Sequence, residues 1–157
     1  MLLQILCGDL NAKFNFYSFT VDEALFFADI ESHPAMSQRT PGLQACTLMI
    51  LSACSKLTGD ERRALNYFDR ARNFVDRSMR DEPCQHIVSA LMIMILMPPS
   101  DVRHRQTLMY ATLAHSLAEL IPGMSVMVRF SSSALRFLQA CINGEVIWPS
   151  AQASIGA

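Results

Sequence analysis

The sequence has no excess of charge of either sign: 13 Lys+Arg stand against 14 Asp+Glu, a formal charge of −1 over 157 residues. That excludes a basic nucleic-acid-binding module, which needs positive charge massed on one face. Disorder is excluded as well, because it requires low hydrophobicity and high net charge, whereas 51% of the residues are hydrophobic. Long hydrophobic runs are missing too. The most apolar stretch, residues 87–97, stops at Pro98-Pro99, well short of the roughly 20 residues that a membrane span requires. The opening Met1-Leu-Leu-Gln-Ile-Leu-Cys7 has no basic residue ahead of its apolar part and meets Asp9 too early for a secretory leader.

Metal and disulfide signatures are equally scarce. Cys7, Cys46, Cys54, Cys84 and Cys141 are odd in number, widely spread and without a C-x2-C pair, so they read as reduced, mostly buried thiols of an intracellular protein. The chain also lacks a G-x4-G-K-[ST] loop, a G-x-G-x-x-G turn, H-E-x-x-H and G-x-S-x-G. No cofactor, no metal and no catalytic residue is therefore expected. His115 precedes Glu119 by four residues, which places both on one helix face and would allow an acid/base pair. A surface hydrogen bond is the more ordinary role for that spacing.

What the sequence does contain is helical punctuation. Thr20 with Glu23 forms a capping box that opens a short helix over residues 20–31, which His33-Pro34 ends. Thr40-Pro41 places a cap before a first-turn proline and starts a helix to about residue 57, with Leu43, Cys46, Met49, Ile50, Ala53, Cys54 and Leu57 as its stripe. Gly59 suits the left-handed stop and Asp60 caps the next helix at once, so the two helices fold back as an antiparallel hairpin. That next helix, to about residue 80, turns Ala64, Leu65, Phe68, Ala71, Phe74, Val75 and Met79 to one side. Its other side carries Arg62, Arg63, Arg70, Arg72, Arg77 and Arg80. The spacings Asp69 to Arg72, Arg72 to Asp76, Asp76 to Arg80 and Arg77 to Asp81 make this a solvated, internally paired face rather than a phosphate-binding one.

Residues 84–97 are apolar nearly all round, as the central helix of an all-helical domain would be. Asp101 caps a fifth helix to about residue 121 with Met109, Tyr110, Leu113, Ala114, Leu117, Leu120 and Ile121 as its core face, and Pro122-Gly123 stops it. Further on, residues 126–130 are a strand or an incomplete turn, Ser131-Ser132-Ser133 is a cap, and a last short helix covers residues 134–142. The expected fold is all-α, a single-domain bundle of about five to six helices with antiparallel hairpins. An N-terminal extension takes residues 1–19, the helical domain residues 20–143, and a flexible, frayed tail residues 144–157.

Two family resemblances arise. Leu57-Thr-Gly59-Asp60 followed by Ala64, Phe68 and Ala71 resembles half of a tetratricopeptide hairpin, without a second copy 34 residues on, where a proline stands. The longer one runs over residues 33–120. His33-Pro34, then Tyr67-Phe-Asp-Arg-Ala71-Arg72 with Val75-Asp76, then Glu82-Pro83 ahead of Ile87-Val88-Ser-Ala90-Leu91-Met92-Ile93-Met94, and finally Tyr110, Ala114, Ala118 and Leu120 follow one another in order. This series resembles the fungal-specific transcription factor domain, the middle homology region of binuclear zinc-cluster activators. The likeness is partial or divergent: Leu108, Thr112 and Ser116 replace the family's Trp, Gly and Arg, and no C-x2-C-x6-C zinc cluster is present.

The resemblance implies a non-catalytic, nuclear regulatory domain that modulates transcription through protein partners or a small effector. It would reach DNA only through a zinc-cluster segment outside this chain, need no membrane, and could work as a homo-oligomer. Met92, Met94, Met109, Tyr110 and Leu113 are the candidate lining of a partner or ligand pocket, methionine being adaptable in shape, although filling the core is its commoner use. The alternative function is a helical-hairpin adaptor for another protein, with a groove between the second and third helices.

Overall fold

In a computed structural model, residues 2–14, 22–80, 84–99 and 104–145 are described. They form an all-α bundle of seven α-helices and no strand. The helices are α1 (Leu2–Phe14), α2 (Glu23–Ser32), α3 (Pro41–Leu57), α4 (Glu61–Ser78), α5 (Gln85–Leu96), α6 (His104–Leu120) and α7 (Ser125–Ile142), with a 3-10 turn at Met36–Gln38. Among the described residues no helix is long and apolar enough to cross a membrane.

The α3–α4 hairpin follows from its caps. Thr40 Oγ1 accepts from the Leu43 amide at 3.3 Å, Pro41 opens α3, Gly59 takes φ +84°, and Asp60 Oδ1 accepts from the Arg63 amide at 3.0 Å. A side-chain oxygen at each start satisfies an amide that the helix itself leaves without a partner. The hairpin closes over Ala53, Ala64, Phe68 and Ala71, all buried, and the Ser52 hydroxyl donates across it to the Ala64 carbonyl at 2.7 Å.

At the other end α6 and α7 make a second hairpin around the Pro122-Gly123 turn, where Gly123 has φ +85°. Helix α5 lies between the two hairpins, packed on α3 and on α6, and every residue from 86 to 95 is buried. Phe26 inserts α2 into the core with no exposed surface. Helix α1, on the segment read as an extension, packs on α3 and contributes the buried Cys7.

Several local expectations differ from what is found. Asp22 caps α2, its Oδ1 accepting from the Leu25 amide at 3.0 Å, while Thr20 lies outside the described residues, as do Asp81 and Asp101. Residues 126–142 are one unbroken helix rather than a strand, a serine cap and a short helix. The serines lie inside α7 because Ser131 and Ser133 hydroxyls turn back onto the Val128 and Arg129 carbonyls, 3.0 and 3.1 Å away. Serine costs only about half a kcal/mol relative to alanine in a helix, which packing easily outweighs.

Of the core face expected for α6, Ala114 and Leu117 are buried and Tyr110, Leu113 and Ile121 half-buried, but Met109 and Leu120 are not. Thr107, Ala111, Ala114, Leu117 and Ala118 point inward, while Met109 and Leu120 are 69% and 71% exposed. Small side chains let α6 approach its neighbours closely and leave the larger ones at the margin. On α4, Ser78 takes the buried place and Met79 is 39% exposed. The arginine face is exposed as expected, with Arg72 at 3.6 Å from Asp69 and Arg63 at 3.6 Å from Asp60. Arg70 and Arg77 lie over the rings of Tyr67 and Phe74.

Caps and surface ion pairs should separate cleanly in a stability measurement. Asp60→Ala is expected to lower the free energy of unfolding by about 1 kcal/mol in urea titration. Asp69→Ala, which removes only an exposed pair, should change it by no more than about 0.5 kcal/mol.

Candidate functional site

Two histidines hold the described helices together, each by a different logic. His86 opens α5 with its side chain 9% exposed, and its Nε2 lies 2.5 Å from Asp29 Oδ2 of α2. The Phe26 ring meets the imidazole edge-on at 6.1 Å. One apolar and one polar contact thus fix α2 on α5. Sequence spacing gives no sign of this pair, since its members are 57 residues apart.

His115, on α6, is engaged at both nitrogens. Nδ1 is 3.1 Å from Ser131 Oγ on α7 and Nε2 is 3.0 Å from Glu119 Oε1, so the expected His115–Glu119 pair forms and gains a serine that sequence reading did not supply. Ser131 Oγ also donates to the Val128 carbonyl, 3.0 Å away. Serine, histidine and glutamate stand in a row, as in a nucleophilic relay. The serine, however, has no exposed surface and its proton is already committed to a carbonyl. In this arrangement the histidine joins α6 to α7, and the Ser131 hydroxyl has no open path to a substrate.

Beside this pair, a cavity of about 560 Å³ opens at the α6–α7 turn, lined by Ala118, Glu119, Ile121, Met124, Val128 and Arg129. An apolar groove of about 470 Å³ runs between the end of α5 and α7, lined by Ile95, Leu96, Phe130, Ala134, Phe137 and Leu138. Leu96 is 45% and Phe137 39% exposed there.

The five residues read as a pocket lining occupy different environments. Met92 and Met94 are sealed in the core, and Met109 faces outward. Leu113 is half-buried. Tyr110, also half-buried, meets the Phe68 ring edge-on at 5.9 Å. Burial raises the Tyr110 phenol, and Asp76 and Asp69 add to the rise while Arg72 opposes it. Tyr110 therefore fastens α6 to α4.

Two basic side chains also act as fasteners that spacing could not reveal. Arg39 donates to the His33 carbonyl at 2.9 Å and the Pro34 carbonyl at 3.1 Å, and its Nη1 reaches Thr47 Oγ1 on α3 at 3.5 Å. Burial lowers the pKa of this guanidinium. Lys56 donates to the Pro98 carbonyl beyond α5. Among the described residues, no group of three or more His, Cys, Asp or Glu could hold a metal ion. No known protein family, curated protein or solved structure matches the chain.

Replacing Asp29 by Ala leaves a nearly buried imidazole without its partner and should cost about 1–2 kcal/mol in urea unfolding. Glu119→Ala, which removes an exposed carboxylate, should cost less than about 0.5 kcal/mol. Stability should also fall in alkali. Burial, with a smaller push from Asp9, raises the Cys54 thiol to about 11. The unfolded thiol ionises near 8.5, so this contribution is whole below about pH 8.5 and disappears as pH rises through 11. Urea midpoints measured across that window should decline less steeply in Cys54→Ala than in the parent.

Proposed function

We propose that this chain is an all-helical regulatory domain of the kind found in fungal-type transcription factors. It would work in the nucleus through partner or effector contacts, with DNA read by a zinc-cluster segment of another part or another chain. The observation that carries this reading is the order of the family-like motifs along the helices. His33-Pro34 ends α2, Tyr67 to Arg72 lies in α4, Ile87 to Met94 fills α5, and Tyr110, Ala114 and Ala118 lie in α6.

Several of the motif residues are buried, among them Ala71, Ile87, Leu91, Ala114 and Ala118, while Tyr67 and Tyr110 are half-buried and Leu120, the last of the series, is exposed. The resemblance therefore overlaps the core in α4, α5 and α6, which supports a shared fold. The apolar groove at Leu96 and Phe137 supplies surface for a contact. Catalysis has less support, because the most enzyme-like row of side chains has its serine sealed. The hairpin-adaptor reading has less to build on, since the facing sides of α3 and α4 are turned into one another.

A reporter experiment tests the proposal. Fused to a heterologous DNA-binding domain, the chain should change reporter output several-fold relative to that domain alone. The core variant Phe68→Ala, expected to lose about 3–5 kcal/mol of stability, should abolish the change. Equal output from the fusion and the isolated DNA-binding domain, with the fusion present at the same level, overturns the proposal.

A further inference from the structure

Thiols from three separate helices converge where α1 and the start of α5 approach α3. Cys7 of α1 and Cys46 of α3 have no exposed surface, while Cys84, half-buried, holds the N-cap position of α5. Gly42 explains how Cys84 gets so close. It lies one turn before Cys46 on the same face of α3, and a Cβ placed on it would stand 2.7 Å from Cys84 Sγ and 3.4 Å from the Ile87 nitrogen. The absent side chain leaves a notch, and the Cys84 sulfur fills it. A helical side chain leans back over the turn that precedes it, so the Cys46 thiol leans towards that same notch. Ionisation of Cys46 is opposed first by burial and then by the thiols of Cys7 and Cys84. Two thiols placed in this way can be joined by oxidation into one disulfide.

We propose that Cys46 and Cys84 are a redox-modification site that forms a disulfide when the protein meets a hydroperoxide. Cys84, the most accessible of the three, attacks the outer peroxide oxygen as its thiolate. The O–O bond breaks, Cys84 becomes a sulfenic acid, and an alcohol or water leaves carrying the thiol proton. The Cys46 sulfur then attacks the Cys84 sulfur, the S–O bond breaks, and the hydroxyl leaves with the Cys46 proton as water. Two electrons pass from the two thiols to the peroxide. The product bond joins α3 to the first turn of the central helix.

The test uses the full chain treated with hydrogen peroxide, after which remaining thiols are blocked and the protein is digested and mass-analysed without reduction. The expected result is a linked peptide containing Cys46 and Cys84, lighter than its two parts by two hydrogen atoms and separated again by dithiothreitol. Cys84→Ser should abolish it, and Cys54→Ser and Cys141→Ser should not. Gly42→Ala, whose new methyl group displaces the Cys84 sulfur, should reduce the linked peptide several-fold while far-ultraviolet circular dichroism stays helical. The proposal is overturned if Cys84 proceeds to sulfinic acid while Cys46 remains blockable. It is equally overturned if Cys7 or Cys141 is the partner found on either sulfur.

Discussion

The burial of α5 on every side is the constraint on which the rest of this fold depends. Each of its large side chains, from Ile87 to Met94, is removed from water entirely or almost so, and each such chain contributes about 1.5–3 kcal/mol. An exposed ion pair on α4 contributes at most about 1 kcal/mol. A helix without a polar face must be enclosed, and two hairpins with α5 between them provide that enclosure. The small residues of α6, and those between α3 and α4, follow from the same requirement, because close approach leaves no voids around the bulky residues of the centre.

Enclosing an apolar helix leaves the polar groups among the helices to be matched one by one. Among the described residues, no buried side-chain nitrogen or oxygen lacks a hydrogen-bond partner. Thr47, Ser55 and Ser78 return their hydroxyls to carbonyls of their own helices, whereas Ser52, His86 and His115 reach across to another helix. Contacts of the second kind act as registers, because an apolar surface alone lets one helix slide along another. His115 is instructive here. The residues suited to acid/base chemistry are present, yet their geometry spends each nitrogen on alignment.

The parts legible in the sequence were those encoded locally. Thr40-Pro41, Gly59 and Asp60 mark helix ends by their own backbone chemistry, and the spacing of Ala64, Phe68, Ala71 and Val75 gives the buried side of α4. The parts that were not legible depend on distant partners. Ser131 reads as a helix start until His115 is placed opposite it, and Arg39 belongs to no sequence pattern, its role following from the carbonyls of His33 and Pro34 to which it donates. On α6 the periodicity places Ala114 and Leu117 correctly but misplaces Met109 and Leu120, because periodicity weights bulk, whereas packing at this interface selects smallness. Of the expected pocket, Met92 and Met94 belong to the centre for the reason given above, and Tyr110 serves as a fastener.

The attachment of α2 has a dynamic consequence. Phe26, the partly buried Phe27 and Ile30, the Asp29–His86 pair and the Arg39 clamp anchor this part of the chain, and their members on this side fall within a short stretch ahead of α3. Contiguous stretches with few anchors open as units at a lower free energy than global unfolding. By that rule the amide hydrogens of α2 are expected to exchange with solvent as a group, ahead of those of the enclosed α5.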